Sequence, residues 1–453
     1  MHPTRRSNHQ NLVPNLVPHC NQRERKRAEG SPSTGNKEMA NKSHRGGLVL
    51  NRLALALCLL LLIALAACQR PPQPAEPAPT QTSPAPTSAP APAPTSAPTH
   101  TPNPQGLAQT SDVGFTAAPP PSPQTLQTML GNGEHLNIAS NTLTVAISAP
   151  KASSVRLGGG LQMPLDRVDK EGLWATSIQA KGLDRLVLSW AILDQNQNIL
   201  AQGTHRSSNA PDPTPTAEVG RPVETVPFES KHLGQSRDLF VYRAPGSCQG
   251  SPLVIMADGQ LLEALTPYLE AAVLAGQIEP LVVIGIGSAP PVDAGPQGDI
   301  RLQEYAPPGA AAHLNLDLPK HPARFDAHMR FVTQEVIPWA VETFGVTQER
   351  HRRATCGFSN GAVFAAAAAM LHPDSFGHAI ALSAGLSPGE PLTKDAQTHF
   401  FLGAGTLEPV FATQTQTLAA ATQAIGAPTT VRLRVGGHDP LTWHEETIQA
   451  LHP

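Results

Sequence analysis

Residues 354–370 read ATCGFSNGAVFAAAAAM. Ala354-Thr-Cys-Gly357 is a short strand-like run, and Ala362 to Met370 is among the best helix-forming stretches in the chain. Between them lies Gly357-Phe358-Ser359-Asn360-Gly361, a G-x-S-x-G pattern. A serine nucleophile sits on a strained turn between a strand and a helix, and glycines on either side permit the close backbone approach this needs. The pattern alone arises often by chance. Its flanks give it weight, and the following helix would present its N-terminus to a developing oxyanion. The bland alternative is a structural glycine turn with an incidental serine.

The sequence around this stretch alternates strands and helices. Leu239–Ala244, Leu253–Met256, Leu281–Ile286, Ala379–Ser383, Phe400–Leu402 and Val431–Val435 read as strands. Leu261–Ala275, Arg324–Phe344 and a segment between the last two strands read as helices. Such alternation predicts an α/β fold with a mostly parallel sheet covered on both faces, of the α/β-hydrolase kind.

A serine needs a base to take its proton. Residues 431–444 read VRLRVGGHDPLTWH, so His438 follows a strand and two glycines, where a loop would carry a base over the sheet edge. It comes after Ser359, in keeping with the Ser…acid…His order of this fold. The acid should fall between them, just past a strand. Glu408 in FFLGAGTLEP meets that condition, while its rivals Glu390 and Asp395 precede the strand. Asp439 adjoins His438, where it could orient the loop. His313, His321, His328, His372, His378, His399, His444 and His452 lack the placement and read as solvated or structural.

These pieces together resemble the bacterial putative esterase family that includes esterase D and the enterochelin esterases. The resemblance spans about residues 222–453. It is carried by Leu233-Gly-Gln-Ser-Arg237, Met256-Ala-Asp-Gly-Gln260, Arg301-Leu-Gln-Glu-Tyr305, Glu335-Val-Ile-Pro338, Arg352–Gly361, and Gly436-Gly-His-Asp439 with Trp443. It implies an oxyanion hole with one N–H from the Asp258-Gly259-Gln260 turn and the other from Asn360. The family usually carries a second glycine where this chain has Ala362. Implied substrates are small-molecule or glycan-linked esters: siderophore esters, acyl or feruloyl sugars, small thioesters. Acyl transfer of the mycolyltransferase type is an alternative, as is an inactive hydrolase fold serving as a surface binding module.

Upstream, residues 126–207 read as a small β-sandwich, with strand-like runs Leu143–Ser148, Val155–Leu157, Leu173–Ile178, Leu186–Leu193 and Ile199–Ala201 broken by turn residues. The order resembles the immunoglobulin-like domain that precedes the catalytic domain in enterochelin-esterase-like proteins. Trp174 and Trp190 could form a sugar platform, although a core position is the commoner fate of a tryptophan. Residues 208–222 form a Pro-rich break before the α/β region of 223–453. Every candidate catalytic residue lies beyond 250, so the sandwich is expected to be dispensable for chemistry.

Residues 68–125 are almost all Pro, Ala, Thr, Ser and Gln, and cannot bury enough apolar surface to offset ordering entropy; they are expected to act as a semi-rigid spacer. Before them, Lys42, Arg45 and Arg52 precede the apolar run LALALCLLLLIALAA at 53–67. Its 15 residues fall short of the roughly 20 that a spanning helix needs. A basic region, a short apolar core and small residues describe an export signal, here over 39–67. Leu65-Ala-Ala-Cys68 resembles the bacterial lipobox, which implies cleavage before Cys68 and its lipidation. Met39 is placed to be the true start, which would make 1–38 a mis-called upstream extension. Gln69 does not suggest inner-membrane retention, so the expected address is the cell envelope, anchored to the outer membrane in a Gram-negative host.

Beyond the signal, residues 68–453 carry 22 Lys/Arg against 32 Asp/Glu. A net charge of that sign argues against nucleic acid, whose phosphates reward clustered cations. The five cysteines form no disulfide framework and show no CxxC spacing, so neither metal nor cofactor is expected. A Cys248–Cys356 bridge is the less favoured reading for the two cysteines of the folded part. The lipid anchor is tested by Cys68→Ser: the natural chain should partition into detergent and take up labelled fatty acid, and the variant should do neither.

Overall fold

The computed structural model describes residues 107–131, 135–158, 165–289, 300–307, 310, 322–386 and 397–452. The export signal, Cys68, and the spacer up to 106 lie outside these residues.

The α/β region is built on an eight-stranded sheet of β9 (Glu224–Ser230), β10 (Gln235–Arg243), β11 (Leu253–Ala257), β12 (Val282–Ile286), β13 (Arg353–Phe358), β14 (His378–Leu382), β15 (His399–Gly405) and β16 (Thr429–Arg434). Their spatial order is β16-β15-β14-β13-β11-β12-β10-β9. From β12 through β11 and β13 to β16 every pairing is parallel; β10 pairs antiparallel with both β12 and β9. The apolar runs are continuous because both sheet faces are covered. In β11, Leu253, Ile255 and Ala257 face one core with the helices that supply Phe325, Ala340, Phe364 and Leu418. Val254 and Met256 face the other, with Leu265 of helix Leu262–Leu274 and Ile448 of helix Pro440–Leu451. The single long helix expected over 324–344 contains a π-helical stretch at Phe331–Val336. Pro338, just beyond it, lacks the N–H that a continuous α-helix would use, and a wider turn accommodates that loss.

The N-terminal region is a sandwich of two antiparallel sheets. One has the order β1-β6-β3-β2, with β5 also on β6; its strands are β1 (Phe115–Ala117), β2 (Leu136–Ala139), β3 (Thr142–Ser148), β5 (Asp166–Arg167) and β6 (Leu173–Ala180). The other runs β4 (Ser154–Leu157), β7 (Val187–Leu193), β8 (Ile199–Arg206). Leu143, Val145 and Ile147 of the first sheet meet Val155, Leu157 and Leu188 of the second in one core.

One sequence expectation needs correcting, the start of the first domain, while the favoured reading of its tryptophans stands. Regular structure begins well before residue 126: β1 pairs with β6, and helix Pro123–Gly131 buries Leu126 and Met129 against Ala146 and Ala175. The spacing of Leu126, Met129 and Leu130 is helical, but the Pro-rich composition before it masks the signal. The tryptophans make no open platform. Trp174 is buried and donates to the Ala149 carbonyl at 3.2 Å, and Trp190 lies over Gly203, where a Cβ would approach its ring to 2.4 Å. Cys356 is a free, buried thiol, so it does not bridge to Cys248.

The sandwich core does not close on itself. Ala404, Leu407, Ala412, Leu433 and Val435 of the α/β region belong to it. Backbone bonds cross the same seam: Ala108 N to Leu433 O at 2.8 Å, Gly114 N to Thr406 O at 2.8 Å, and Val187 N to Val435 O at 2.9 Å. Arg206 of β8 pairs with Glu445, which also accepts from Arg434 Nη2 at 2.9 Å. Removing the sandwich would bare Leu407, Leu433 and Val435, each worth about 1.5–3 kcal/mol of burial. A chain from residue 107 should therefore unfold in one calorimetric transition, and a chain starting near 218 should be poorly soluble. Two separate transitions, with the second matching an isolated and soluble α/β fragment, would show that the parts are independent.

Candidate active site

Parallel strands deliver their C-terminal ends to one edge, so the residues following β11, β13, β14, β15 and β16 gather there. Ser359 follows β13 with φ 57° and ψ −124°, a conformation that non-glycine residues rarely adopt. The turn is tight enough that a Cβ on Gly357 would come within 2.0 Å of the Gly361 carbonyl, and one on Gly361 within 2.9 Å of Asp258 Oδ2. Both glycines are thus required by close approach. From Asn360 to Met370 the following helix is wholly buried, which explains its alanines: small side chains let it lie directly under the sheet. Ala362, where the family usually has glycine, is fully buried and belongs to the core on that face of the sheet. Ser359 itself keeps partial access to solvent.

His438 follows β16. Its Nδ1 is 2.6 Å from Glu408 Oε2, and both side chains are almost completely buried. Because an ionised carboxylate only accepts, Nδ1 carries the proton and Nε2 is left as the basic nitrogen. The ring plane is fixed by Phe411, with centroids 4.1 Å apart, and by Trp443, edge-on at 4.6 Å. Glu408 stands just after β15 and before helix Pro409–Ala424. Its other oxygen accepts from Gly405 N at 2.6 Å and from Ser383 Oγ at 2.6 Å, and Trp443 Nε1 donates to that same hydroxyl at 2.8 Å. A buried carboxylate left without such donors would be costly, and these bonds also set its direction.

Asp258, at the end of β11, adopts a left-handed conformation (φ 55°, ψ 55°) and opens the turn of Gly259 and Gln260. Arg301 grips its carboxylate with two bonds of 2.6 Å. The Asp258 backbone N–H donates to Tyr305 Oη at 3.0 Å, and that hydroxyl donates back to Asp258 Oδ1 at 3.2 Å. Burial and the Asp258 charge push the Tyr305 phenol well above its ordinary range, which keeps it a neutral donor. Gly259 is locked against Gly285, where its Cβ would meet the backbone at 2.4 Å, and the Gln260 amide donates to Ser288 Oγ at 2.5 Å.

Thus Ser359, Asn360, Gly259, Gln260, Glu408 and His438 all follow strand ends at one edge of the sheet. Glu390 and Asp395 lie outside the described residues. His328 and His444 are buried, and burial lowers each to about 4, as suits structural imidazoles. Sequence reasoning missed Ser383 as the second partner of Glu408. It sits at φ 55° after β14, the strand between those of the serine and the glutamate, and only the strand order could have pointed to it.

The family described as "Putative esterase" matches residues 230–451. That is nearly the whole α/β region, with every residue placed above. The chain belongs to this esterase family through that region. It is a carboxylic-ester hydrolase. Among solved structures, the enterochelin esterase from Shigella flexneri is similar with a TM-score of 0.52 and 16% identity, over 71% of this chain and 96% of its own. The enterobactin esterase from Shigella flexneri in the presence of enterobactin gives 0.51 and 16%, over 73% and 97%. Ferric enterobactin esterase from Salmonella typhimurium gives 0.51 and 17%, over 70% and 94%. At these identities the likeness is one of fold, and it extends beyond the α/β region. No curated protein matches the chain in sequence.

Ser383→Ala removes one of three hydrogen bonds to Glu408 and should lower the turnover of an activated ester roughly 10-fold or more, since bonds to charged groups contribute about 1.5–3 kcal/mol. Trp443→Phe keeps the ring and loses only the bond to Ser383, so its effect should be smaller. Steady-state kinetics on the two variants check that order.

Proposed function

We propose that this chain is an extracytoplasmic serine esterase working through a Ser359–His438–Glu408 triad and an acyl-enzyme. The observation that carries the reading is the buried 2.6 Å contact between His438 Nδ1 and Glu408, at the same sheet edge as a serine held at positive φ. Ser359 Oγ attacks the ester carbonyl carbon while its proton passes to His438 Nε2. The oxyanion accepts N–H bonds from Asn360 and from the Gly259–Gln260 turn. The intermediate collapses, the C–O bond breaks, and the leaving alkoxide takes the proton from His438. Water then repeats the sequence, freeing the acid and Ser359. Glu408 stays ionised throughout, holding the imidazole and stabilising its charged form.

The substrate class is a small-molecule or glycan-linked ester, of the enterochelin-esterase or acyl/feruloyl-sugar type. The negative charge of the mature chain does not favour nucleic acid. The run at 53–67 followed by Cys68 supports a lipid-anchored position in the bacterial envelope.

The triad is tested by fluorophosphonate labelling with turnover on a panel of acyl esters. Wild type should label and hydrolyse. Ser359→Ala should do neither, with turnover lower by on the order of 10⁴ or more. His438→Ala should cost a similar amount, because the two act as a unit. An alanine variant that labels like wild type would show that the nucleophile lies elsewhere.

A further inference from the structure

Gly436 and Asp439 flank His438, and both are engaged by strand β7 of the sandwich rather than by the α/β region alone. Asp439 is fully buried. Its Oδ2 accepts the Ser189 N–H at 2.8 Å, and its Oδ1 accepts the Leu441 N–H at 3.0 Å, so it caps helix Pro440–Leu451 while tying it to β7. Two residues along β7, the Val187 N–H donates to Val435 O at 2.9 Å. The Val187 carbonyl lies so close to Gly436 that a Cβ there would meet it at 2.8 Å. The His438 loop thus passes beneath an edge of β7 with room only for glycine.

The acid is held from the same side. Gly114, just before β1, donates to Thr406 O at 2.8 Å, and Leu407 N donates to Gly436 O at 2.9 Å. A Cβ on Gly405 would stand 2.3 Å from Gly436 O, so the turn carrying Glu408 and the loop carrying His438 are pressed together. Leu407 and Val435, neighbours of the two, are buried in the sandwich core.

We propose that the β-sandwich is part of the catalytic apparatus: through Asp439 and Gly436, acting as positioning residues, strand β7 sets the placement of His438 against Glu408. No sandwich side chain need touch substrate. This inference rests on His438 being the base, and it replaces the expectation that the sandwich is dispensable for chemistry. A carboxylate buried between two N–H groups fixes both strand and helix, and a displacement of about 1 Å at a catalytic group can cost on the order of 10²-fold in rate.

The test uses the full chain with Asp439→Asn and Gly436→Ala. Asparagine keeps the size of the side chain but turns an amide donor toward one of the two N–H groups. The alanine methyl wedges β7 off the loop. Each variant is measured for kcat and KM on an activated ester and for the low-field proton resonance of the His438–Glu408 hydrogen bond, with folding checked by circular dichroism. Both should lose on the order of 10²-fold in kcat with KM within about twofold, and both should shift or broaden that resonance. Wild-type kcat and resonance in the folded variants would overturn the proposal, as would a loss confined to KM. If Gly436→Ala does not fold, the near-isosteric Asp439→Asn decides. The triad reading fails separately, through Ser359→Ala retaining label and turnover; the resonance still reads the seating of His438 in that case.

Discussion

A buried carboxylate has to find a donor for each of its oxygens or remain uncharged, and Glu408 satisfies that demand from several directions. Its donors come from the end of β14, from the end of β15, and from the loop after β16. Each donor fixes the strand end that bears it. Trp443 adds a fourth element by donating to Ser383 while bracing the imidazole edge-on. Three adjacent parallel strands and the helix that bears Trp443 are thereby registered at the edge where Ser359 stands, and the site is rigid because one charge needs its partners.

On the other side of Ser359 a second buried charge plays a matching part. Asp258 takes a left-handed conformation, uncommon for a residue other than glycine, and the paired hydrogen bonds from Arg301 with the exchange of hydrogen bonds with Tyr305 keep it there. Breaking such a pair on one side would leave an uncompensated charge in the interior, so the turn of Gly259 and Gln260 has little freedom. The glycines at 357, 361 and 259 then serve distance: each allows backbone to meet backbone or carboxylate where a methyl group would not fit.

Regular elements were legible wherever local pattern and final environment agreed. The apolar runs of β11, β12 and β14 are strands because both sheet faces are buried, and the alanine run after Ser359 is a helix by propensity and by the closeness of the sheet. Strands such as β1, β5 and β9 escaped the reading, since short or polar runs gain their structure from the partner they pair with. Glu408 was legible because a parallel sheet sends every strand end to the same edge. Ser383 was not, because its role depends on β14 lying between β13 and β15.

By itself, then, the sequence determined the α/β order, the strained turn at Ser359 and the chain order in which Ser359, Glu408 and His438 follow their strands, and it carries an apolar run at 53–67 ahead of Cys68. These follow from periodicity, glycine spacing and composition, which are local properties. Only the tertiary structure decided that the sandwich and the α/β region share a core and that Asp439 reaches a backbone N–H 250 residues earlier in the chain. The reason is physical. A hydrogen bond between distant residues leaves no periodic trace in either segment, and a boundary drawn at a Pro-rich stretch marks where the chain lacks regular structure, not where its buried surface ends.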